Sequence, residues 1–149
     1  MICVVQRVSQ ASVMVQDRLM GHIDRGVVAL VAVHRDDGSQ DVAWMARKLV
    51  ELRLFPGGDR NFDQDVKQIG GSILLVSNFT VAADARKGRR PSLDAAADPA
   101  VGRTRFDELV AAVSAQGVAV QTGEFGAHMI VTLANDGPVT FLLDSRDLR

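Results

Sequence analysis

Apolar runs along the chain, some alternating with polar residues and some continuous, predict a protein built mainly of β-strands. The first third is rich in β-branched residues, and residues 27–33 are apolar without alternation, which is typical of a strand covered on both faces. The predicted strands cover residues 2–8, 12–16, 19–24, 27–33, 72–81, 118–122, 128–134 and 138–144.

Two segments show the three- to four-residue apolar spacing of amphipathic helices. The first covers about 40–53, and the second begins at Asp98-Pro99, where an N-cap residue precedes a proline at the first helical position. The polar segment 82–98 predicts a long loop. We therefore predict a single α/β domain over residues 1–149, rich in strands, with two main helices packed on sheets.

The composition is that of a globular protein with almost no net charge. Of the 149 residues, 47% are hydrophobic and 23% are charged, and the formal net charge is -1. A nucleic-acid partner would therefore have to be bound by a local cluster of basic residues. The single Cys3 excludes an internal disulfide and fits a reducing compartment. The three histidines are scattered without zinc-like spacing, so no metal and no other cofactor is predicted.

The amino-terminal segment and the longest apolar run do not indicate a membrane protein. Residues 1–5 form a strand-like run without the basic and long apolar regions of a secretory signal. The longest apolar run, 27–33, is far shorter than the ~20 residues that span a bilayer. We expect a soluble, cytoplasmic protein.

Two short stretches place small polar groups directly against strongly apolar runs. Residues 76–81 are Val-Ser-Asn-Phe-Thr-Val, and residues 135–140 are Asn-Asp-Gly-Pro-Val-Thr. In the first, Ser77, Asn78 and Thr80 either satisfy local backbone groups at a strand end or present donors to a ligand. No histidine stands in a triad context that would activate a hydroxyl. The second is typical of a hairpin turn, although a proline directly before a strand would also leave carbonyls facing a cavity.

Positive charge occurs at two places outside these stretches, at Arg7 near the start of the chain and in a basic loop between the two stretches. Arg7 interrupts an apolar strand, so it is either partly exposed or held by several acceptors, because an unpaired buried charge is costly. Four of the five residues 86–90 are basic: Arg86, Lys87, Arg89 and Arg90. Such a run is usually a solvated surface, but it also fits phosphate contacts, which Arg103 and Arg105 would extend. Together these segments predict a small pocket beside a phosphate-binding surface.

Six motifs occur along the chain in a familiar order. They are Gln6-Arg7-Val8 with Ala11-Ser12-Val13, Lys48 with Leu52-Arg53-Leu54-Phe55, Val76-Ser77-Asn78-Phe79-Thr80, Lys87-Gly88-Arg89-Arg90-Pro91-Ser92, Gly123-Glu124-Phe125-Gly126-Ala127, and Asn135-Asp136-Gly137-Pro138-Val139-Thr140. Any one would be a weak signal, but six in order at compatible spacing are hard to obtain by chance. On these residues the chain resembles the D-aminoacyl-tRNA deacylase family, also called D-tyrosyl-tRNA deacylase, over nearly its whole length.

The resemblance implies hydrolysis of the ester that joins a D-amino acid to the terminal ribose of tRNA. Backbone N–H groups suited to an oxyanion would line the reaction centre at Ser77, Asn78, Phe79 and Thr80. Aminoacyl esters are already activated, and the neighbouring ribose hydroxyl can assist a water molecule. The protein then needs to position the ester rather than supply a strong nucleophile. Loop 86–90 would contact tRNA phosphates.

The resemblance also implies a homodimer with its active sites at the subunit interface. The Gly137-Pro138 pair of one subunit, cis and held by Arg7, would enter the pocket of the other. Its carbonyls would exclude L-amino acids sterically, which is a form of chiral proofreading. Glycine has no side chain to exclude, so we also expect activity on glycyl-tRNA. Phe125 and Met129 would lie near the terminal adenine.

Three positions depart from the family pattern, and two other interpretations stay open. Asn78 stands where the family usually has Gln, His128 where Asp is frequent, and Ala83 where an aromatic residue is common. These departures affect rate and substrate preference more than reaction class. The chain could instead be an esterase with Thr80 or Ser77 as covalent nucleophile. It could also be a non-catalytic RNA-binding module that uses the basic loop.

Overall fold

The computed structural model describes residues 1–148, which form eight strands and two main helices. The strands are β1 (Ile2–Val15), β2 (Arg18–Ile23), β3 (Gly26–Ala32), β4 (Phe55–Gly57), β5 (Arg60–Gln64), β6 (Ser72–Ser77), β7 (Ala119–Thr122) and β8 (Met129–Asp144). The helices are α1 (Ser39–Glu51) and α2 (Pro99–Ser114), and short 3₁₀ helices cover Phe79–Ala82 and Ser145–Leu148. The prediction of a strand-rich α/β fold with two main helices is confirmed.

Six of the strands form one mixed sheet around β1. β8 pairs with β1 along its whole length, while β3, β6 and β7 follow in that order on the other side, with β2 beside the second half of β1. β3, β6 and β7 run parallel to one another. The carboxyl ends of these three strands therefore meet at one edge of the sheet, hereafter the carboxyl edge, where α/β sheets commonly bind ligands.

The sheet curls because β2 passes close to β6 and β7. A Cβ on Gly21 of β2 would lie 2.9 Å from the carbonyl oxygen of Thr122 and 3.2 Å from Cδ1 of Leu74, so the position requires glycine. The curled side encloses a small apolar core. Its buried members are Val8, Ala11, Val13, Ile23, Val28, Leu74 and Val76.

The two helices cover the other face of the sheet. They pack against each other and contribute Met45, Leu49, Phe106 and Leu109 to a larger buried core. Each buried side chain of this size contributes roughly 1.5–3 kcal/mol relative to an exposed one. This core fixes the parallel strands from behind and so fixes the position of the carboxyl edge.

Several predicted boundaries are wrong. β1 is one strand rather than two, because β8 pairs with residues on both sides of the polar Ser9. β6 ends at Ser77, where a 3₁₀ helix follows, so the strand does not continue to residue 81. The β4–β5 hairpin was not among the predicted strands.

Residues 135–138 do not form the hairpin turn that their composition predicts. β8 runs from Met129 to Asp144 without interruption, and both of its halves pair with the same strand, β1. Long-range pairing has overridden a local turn signal. The turn-forming residues leave the ladder as a bulge within a continuous strand.

Candidate active site

The strand end at residues 77–80 lies at the carboxyl edge and is held by its own side chains. The Asn78 N–H donates to the carbonyl of Val31 on β3 at 2.7 Å. The Asn78 amide oxygen accepts two hydrogen bonds from Thr80, one from the backbone N–H at 3.2 Å and one from the hydroxyl at 2.5 Å. Asn78 therefore caps the 3₁₀ helix that follows and fixes the path of the turn.

The side chains of this strand end are open to solvent. Phe79 is 58% exposed, and Thr80 is exposed beside it. The Thr80 hydroxyl donates to the amide oxygen of Asn78, which is not a base, so this arrangement does not activate it as a nucleophile. The geometry favours binding and positioning of a ligand through short polar groups and backbone.

Phe125 and Met129 lie beyond the end of β7, at the same edge as residues 77–80. Leu75 of β6 pairs with Thr122 at the end of β7, so the residues that follow in the two parallel strands leave the sheet side by side. A Cβ on Gly123 would lie 2.5 Å from Sδ of Met129, so the thioether packs directly on this end of β7.

The ring of Phe125 is fixed by two neighbours. It packs on Phe106 with ring centroids 6.0 Å apart. The guanidinium carbon of Arg103 lies 4.9 Å from the centroid of the Phe125 ring, and the same side chain donates to the Phe125 carbonyl at 3.1 Å. An aromatic ring held in this way is a rigid surface on which a base can stack.

The Gly137-Pro138 pair protrudes from the ladder between β1 and β8. Gln6 pairs with Thr140 and Val8 pairs with Asn135. An advance of two residues along β1 therefore lies opposite an advance of five along β8, so β8 has three extra residues at this point. The Gly137-Pro138 peptide bond is cis, as the resemblance implies. Gly137 has a φ of +132°, a conformation that favours glycine.

Asn135 closes the base of this bulge. Its side-chain amide donates to the carbonyl of Arg7 and to the carbonyl of Val139, both at 2.9 Å. The Thr140 hydroxyl donates to the Asn135 amide oxygen at 3.4 Å and accepts from the side chain of Gln6 at 3.2 Å. The two chain ends of the bulge are thus tied to each other and to β1.

Arg7 holds the bulge from one side. Its guanidinium donates to the carbonyl of Leu54 at 2.7 Å and to the carbonyl of Asp136 at 3.1 Å, and lies 3.4 Å from the Asp136 carboxylate. The side chain is only 11% exposed. It is therefore held by several acceptors, which is one of the two alternatives that its position in an apolar strand allows. A Cβ on Gly137 would lie 3.1 Å from Nη2 of Arg7.

Within one copy, the bulge and the strand end at 77–80 lie at opposite ends of the sheet. Arg7 pairs with Val27, which pairs with Ile73, whereas Ser77 is four residues further along β6. Four strand residues span about 13 Å, and the two strand spacings from β6 to β1 add roughly 10 Å sideways, which gives about 16 Å between Ser77 and Arg7. The bulge itself lies one strand further from β6, on β8. One copy of the chain therefore does not bring the two segments into one pocket.

Arg86 of the basic loop is paired with a carboxylate of its own loop. It donates to Asp84 at 2.6 and 2.9 Å, and this hydrogen bonding lowers the pKa of Asp84 to about 2. The other basic side chains of the loop are exposed: Lys87, Arg89 and Arg90. Of the two arginines expected to extend this surface, Arg103 is exposed and lies over Phe125, whereas Arg105 donates to Glu108 at 2.7 Å.

A family model described as D-Tyr-tRNA(Tyr) deacylase matches residues 4–144, nearly the whole chain. The chain belongs to this family. Two relatives, both named D-aminoacyl-tRNA deacylase, come from Methylococcus capsulatus and Teredinibacter turnerae. The first is 51% identical over 143 residues, covering 96% of this chain and 94% of the relative. The second is 48% identical over 141 residues, covering 95% and 97%.

Solved structures share the fold of this deacylase family member. One, described as c-Myc DNA Unwinding Element Binding Protein, has a TM-score of 0.91 at 30% identity and covers 97% of this chain and 98% of that one. Another, of a probable eukaryotic D-amino acid tRNA deacylase, has a TM-score of 0.80 at 18% identity and covers 95% and 97%. The family assignment from the six motifs is confirmed, and so is the prediction of a hydrolase, since deacylases are hydrolases.

The described part of this deacylase family member contains no clustered metal ligands. Among residues 1–148, no group of three or more His, Cys, Asp and Glu side chains could hold a metal ion. In the same range, neither helix is long and apolar enough to cross a membrane. Of the positions that depart from the family pattern, Asn78 is the cap described above, and His128 is exposed.

Two groups in the site were not predicted from the sequence. The Asn135 side chain was interpreted only as part of a turn, and its role requires the register of β8 against β1. The carbonyl of Leu54, which accepts from Arg7, belongs to the backbone and has no side-chain signature. The sequence offered one signal that these segments work together, namely that both belong to the set of six motifs: Gln6-Arg7-Val8 and Leu52-Arg53-Leu54-Phe55.

Proposed function

We propose that this protein hydrolyses the ester bond of D-aminoacyl-tRNA and releases free amino acid and tRNA. The observation that carries the proposal is a clamped Gly137-Pro138 bulge, in a chain of the deacylase family that also exposes a polar strand end at 77–80. The same site hydrolyses glycyl-tRNA, because a filter that rejects side chains has nothing to reject in glycine.

The strand end at Ser77, Asn78, Phe79 and Thr80 positions the ester and stabilises its oxyanion. The cap by Asn78 holds this segment rigid, and rigid donors aimed at a developing charge are effective because they need no reorganisation. A water molecule attacks the ester carbonyl with help from the neighbouring ribose hydroxyl. Loss of one oxyanion donor typically lowers kcat by about 10²–10³.

The Gly137-Pro138 bulge is the chiral filter. Its carbonyls occupy the side of the pocket on which an L side chain would project, whereas a D substrate presents only its Cα–H, a weak donor. Such a filter works only if the carbonyls keep their position. The hydrogen bonds from Arg7 and Asn135 supply that rigidity.

The active unit is a homodimer in which each copy inserts its bulge into the pocket of the other. About 16 Å separates Ser77 from Arg7, which clamps the bulge, in one copy, on the strand spacings given above. β8 also forms an outer strand of the sheet, with Phe141 and Leu142 exposed by 40% and 64%. A second copy placed along this apolar edge would cover it and supply the missing bulge.

The tRNA binds across the carboxyl edge. Phe125 and Met129 contact the terminal adenine, with the fixed Phe125 ring as a stacking surface. The basic loop contacts phosphates through Lys87, Arg89 and Arg90. Arg86 contributes less, because Asp84 already neutralises it. Residues 1–149 act as a single domain in this scheme, and the cytoplasm, where tRNA is charged, is its compartment.

The test is deacylation of one tRNA charged with the D form, the L form or glycine. The D-aminoacyl and glycyl esters should be hydrolysed, and the matched L ester should survive. Sedimentation at the assay concentration should give a dimer, and dilution below the dimer dissociation constant should abolish activity. Hydrolysis of the L ester at the rate of the D ester would refute the filter, and full activity of the monomer would refute the shared site.

The same assay separates two other candidate functions. An esterase with Thr80 as covalent nucleophile would lose nearly all activity in Thr80→Val, whereas positioning by backbone leaves an appreciable rate. A non-catalytic nucleic-acid-binding protein would bind tRNA without releasing amino acid from any ester. One relative of this fold is described as binding a DNA element, which makes binding without hydrolysis the outcome to check first.

A further inference from the structure

A groove of about 760 Å³ opens at the carboxyl edge beside the strand end at 77–80. Its walls are mainly apolar and include Ile2, Val81, Ala82, Ala83 and Ala95. Val81 and Ala82 belong to the same 3₁₀ helix as Phe79 and Thr80, so the groove begins at the residue that follows the proposed reaction centre.

His34 also lines this groove, together with the charged residues Asp84, Arg86 and Arg146. His34 is only 6% exposed, and its Nε2 has no hydrogen-bond partner, which makes it the one buried side-chain polar atom of the described residues left unsatisfied. The backbone around His34 is fixed, because its N–H donates to the Asp37 carboxylate at 2.7 Å. A buried polar atom without a partner costs about 1–3 kcal/mol, and that cost is recovered when a ligand supplies the bond.

The electrostatics of the groove favour an uncharged group over an anion. Burial lowers the pKa of His34, and the positive charge of Arg146 lowers it further, so the imidazole is neutral near pH 7. The two arginines at the rim are both neutralised, Arg86 by Asp84 and Arg146 by Asp144. A neutral imidazole offers one donor and one acceptor, which a nucleobase edge can match.

We propose that this groove binds the nucleotide preceding the terminal adenosine of the tRNA, with the apolar walls against its base and Nε2 of His34 hydrogen-bonded to the base edge. The inference rests on the proposed function, because the ester at 77–80 fixes where the terminal adenosine begins. The groove adjoins that site along the 3₁₀ helix and is large enough for one nucleotide. His34 is a positioning residue that contacts substrate away from the reacting atoms.

The test compares two small D-aminoacyl esters, one on adenosine and one on the dinucleotide cytidylyl-adenosine. The wild-type protein should prefer the dinucleotide ester in kcat/KM. In His34→Phe, which keeps a ring but removes Nε2, that preference should fall by about fivefold to tenfold, the effect of one hydrogen bond. The loss should appear in KM, with the kinetics of the adenosine ester unchanged. His22→Phe, at an exposed histidine on β2, is the matched control.

A second variant tests the same groove in case His34→Phe fails to fold. Ala95→Leu narrows the groove beside His34, where the Ala95 carbonyl accepts from the Arg35 N–H, and leaves the imidazole unchanged, so it should also reduce the preference for the dinucleotide ester. Equal use of both esters by the wild-type protein would overturn the proposal, as would an equal loss on both esters in His34→Phe.

Direct binding keeps this test independent of catalysis. Uncharged cytidylyl-adenosine should bind the wild-type protein more tightly than adenosine in calorimetry, and His34→Phe should remove the difference. If neither D ester is hydrolysed but this difference is found, the proposed function fails and the groove assignment stands. If cytidylyl-adenosine binds no more tightly than adenosine and His34→Phe instead weakens the dimer, the groove is filled by the second copy and the proposal is wrong.

Discussion

Asn135→Ala should destabilise the Gly137-Pro138 bulge without unfolding the protein. The amide donates two hydrogen bonds of 2.9 Å, to the carbonyls of Arg7 and Val139, and both are partly buried. At about 1 kcal/mol for each bond, the free energy of unfolding should fall by about 2 kcal/mol. That is a fraction of the roughly 5–15 kcal/mol typical of a folded domain. The melting temperature should fall by roughly 4–8 °C.

The same substitution should weaken chiral discrimination more than catalysis. The bulge carries the proposed filter, whereas residues 77–80 of the proposed reaction centre lie at the other end of the sheet, with Ser77 about 16 Å from Arg7 in the same copy, on strand spacings. We expect hydrolysis of an L-aminoacyl-tRNA to rise at least about tenfold, because a displacement worth about 1.4 kcal/mol changes a rate tenfold. The rate on the matched D ester should change by less than about threefold. Single-turnover deacylation of both esters on one tRNA measures the ratio.

Two further variants show whether the effect belongs to the clamp. Asn61→Ala, an exposed asparagine on β5, should change neither stability nor the ratio of L to D hydrolysis. Asn135→Asp keeps the shape of the side chain but turns a carboxylate toward two carbonyls, so it should lower the free energy of unfolding more than Asn135→Ala does. Strict rejection of L esters by Asn135→Ala, at a stability lowered as expected, would show that the clamp does not set the position of the filter.

Three other outcomes follow from the same geometry. Thr80→Val removes the 2.5 Å bond to Asn78 and should lower kcat by about tenfold without abolishing hydrolysis, which single-turnover kinetics will show. Gly137→Ala places a Cβ 2.9 Å from the Val139 nitrogen at a φ of +132°, and should lower both the melting temperature and the rejection of L esters. The slope of the logarithm of the tRNA binding constant against the logarithm of salt concentration should become shallower by about one in Lys87→Ala. The change should be smaller in Arg86→Ala, because Arg86 is paired with Asp84.

The elements that depend on local sequence were predictable, and those that depend on distant pairing were not. α2 begins at Pro99 after Asp98, as the cap and proline indicate, because those preferences act within one turn. β8 does not turn at residues 135–138, although Asn, Asp, Gly and Pro are all turn formers. The pairing of β8 with β1 determines its conformation here. β1 lies more than a hundred positions earlier in the chain, so a local sequence pattern contains no information on this pairing.

The candidate site shows the same division. Arg7 could be recognised as unusual, because a charge in an apolar strand must find acceptors. Its acceptors could not be named, since the carbonyls of Leu54 and Asp136 belong to the backbone. The orphan Nε2 of His34 is also a product of packing, and a single scattered histidine gave no reason to single it out.

The proposed homodimer divides the site between two ends of one sheet, which gives a reason for the strong clamp on the bulge. A filter that lined its own pocket could be braced by the walls of that pocket. The Gly137-Pro138 bulge instead projects from the far end of the sheet, so it must keep its shape before any pocket surrounds it. Arg7, Asn135 and Thr140 of the same copy make the hydrogen bonds that hold this shape. In the proposed homodimer, rigidity for selectivity therefore resides in the copy that donates the bulge, and the accepting copy supplies the proposed reaction centre. A heterodimer of wild-type and Asn135→Ala chains should accordingly contain one selective and one permissive site.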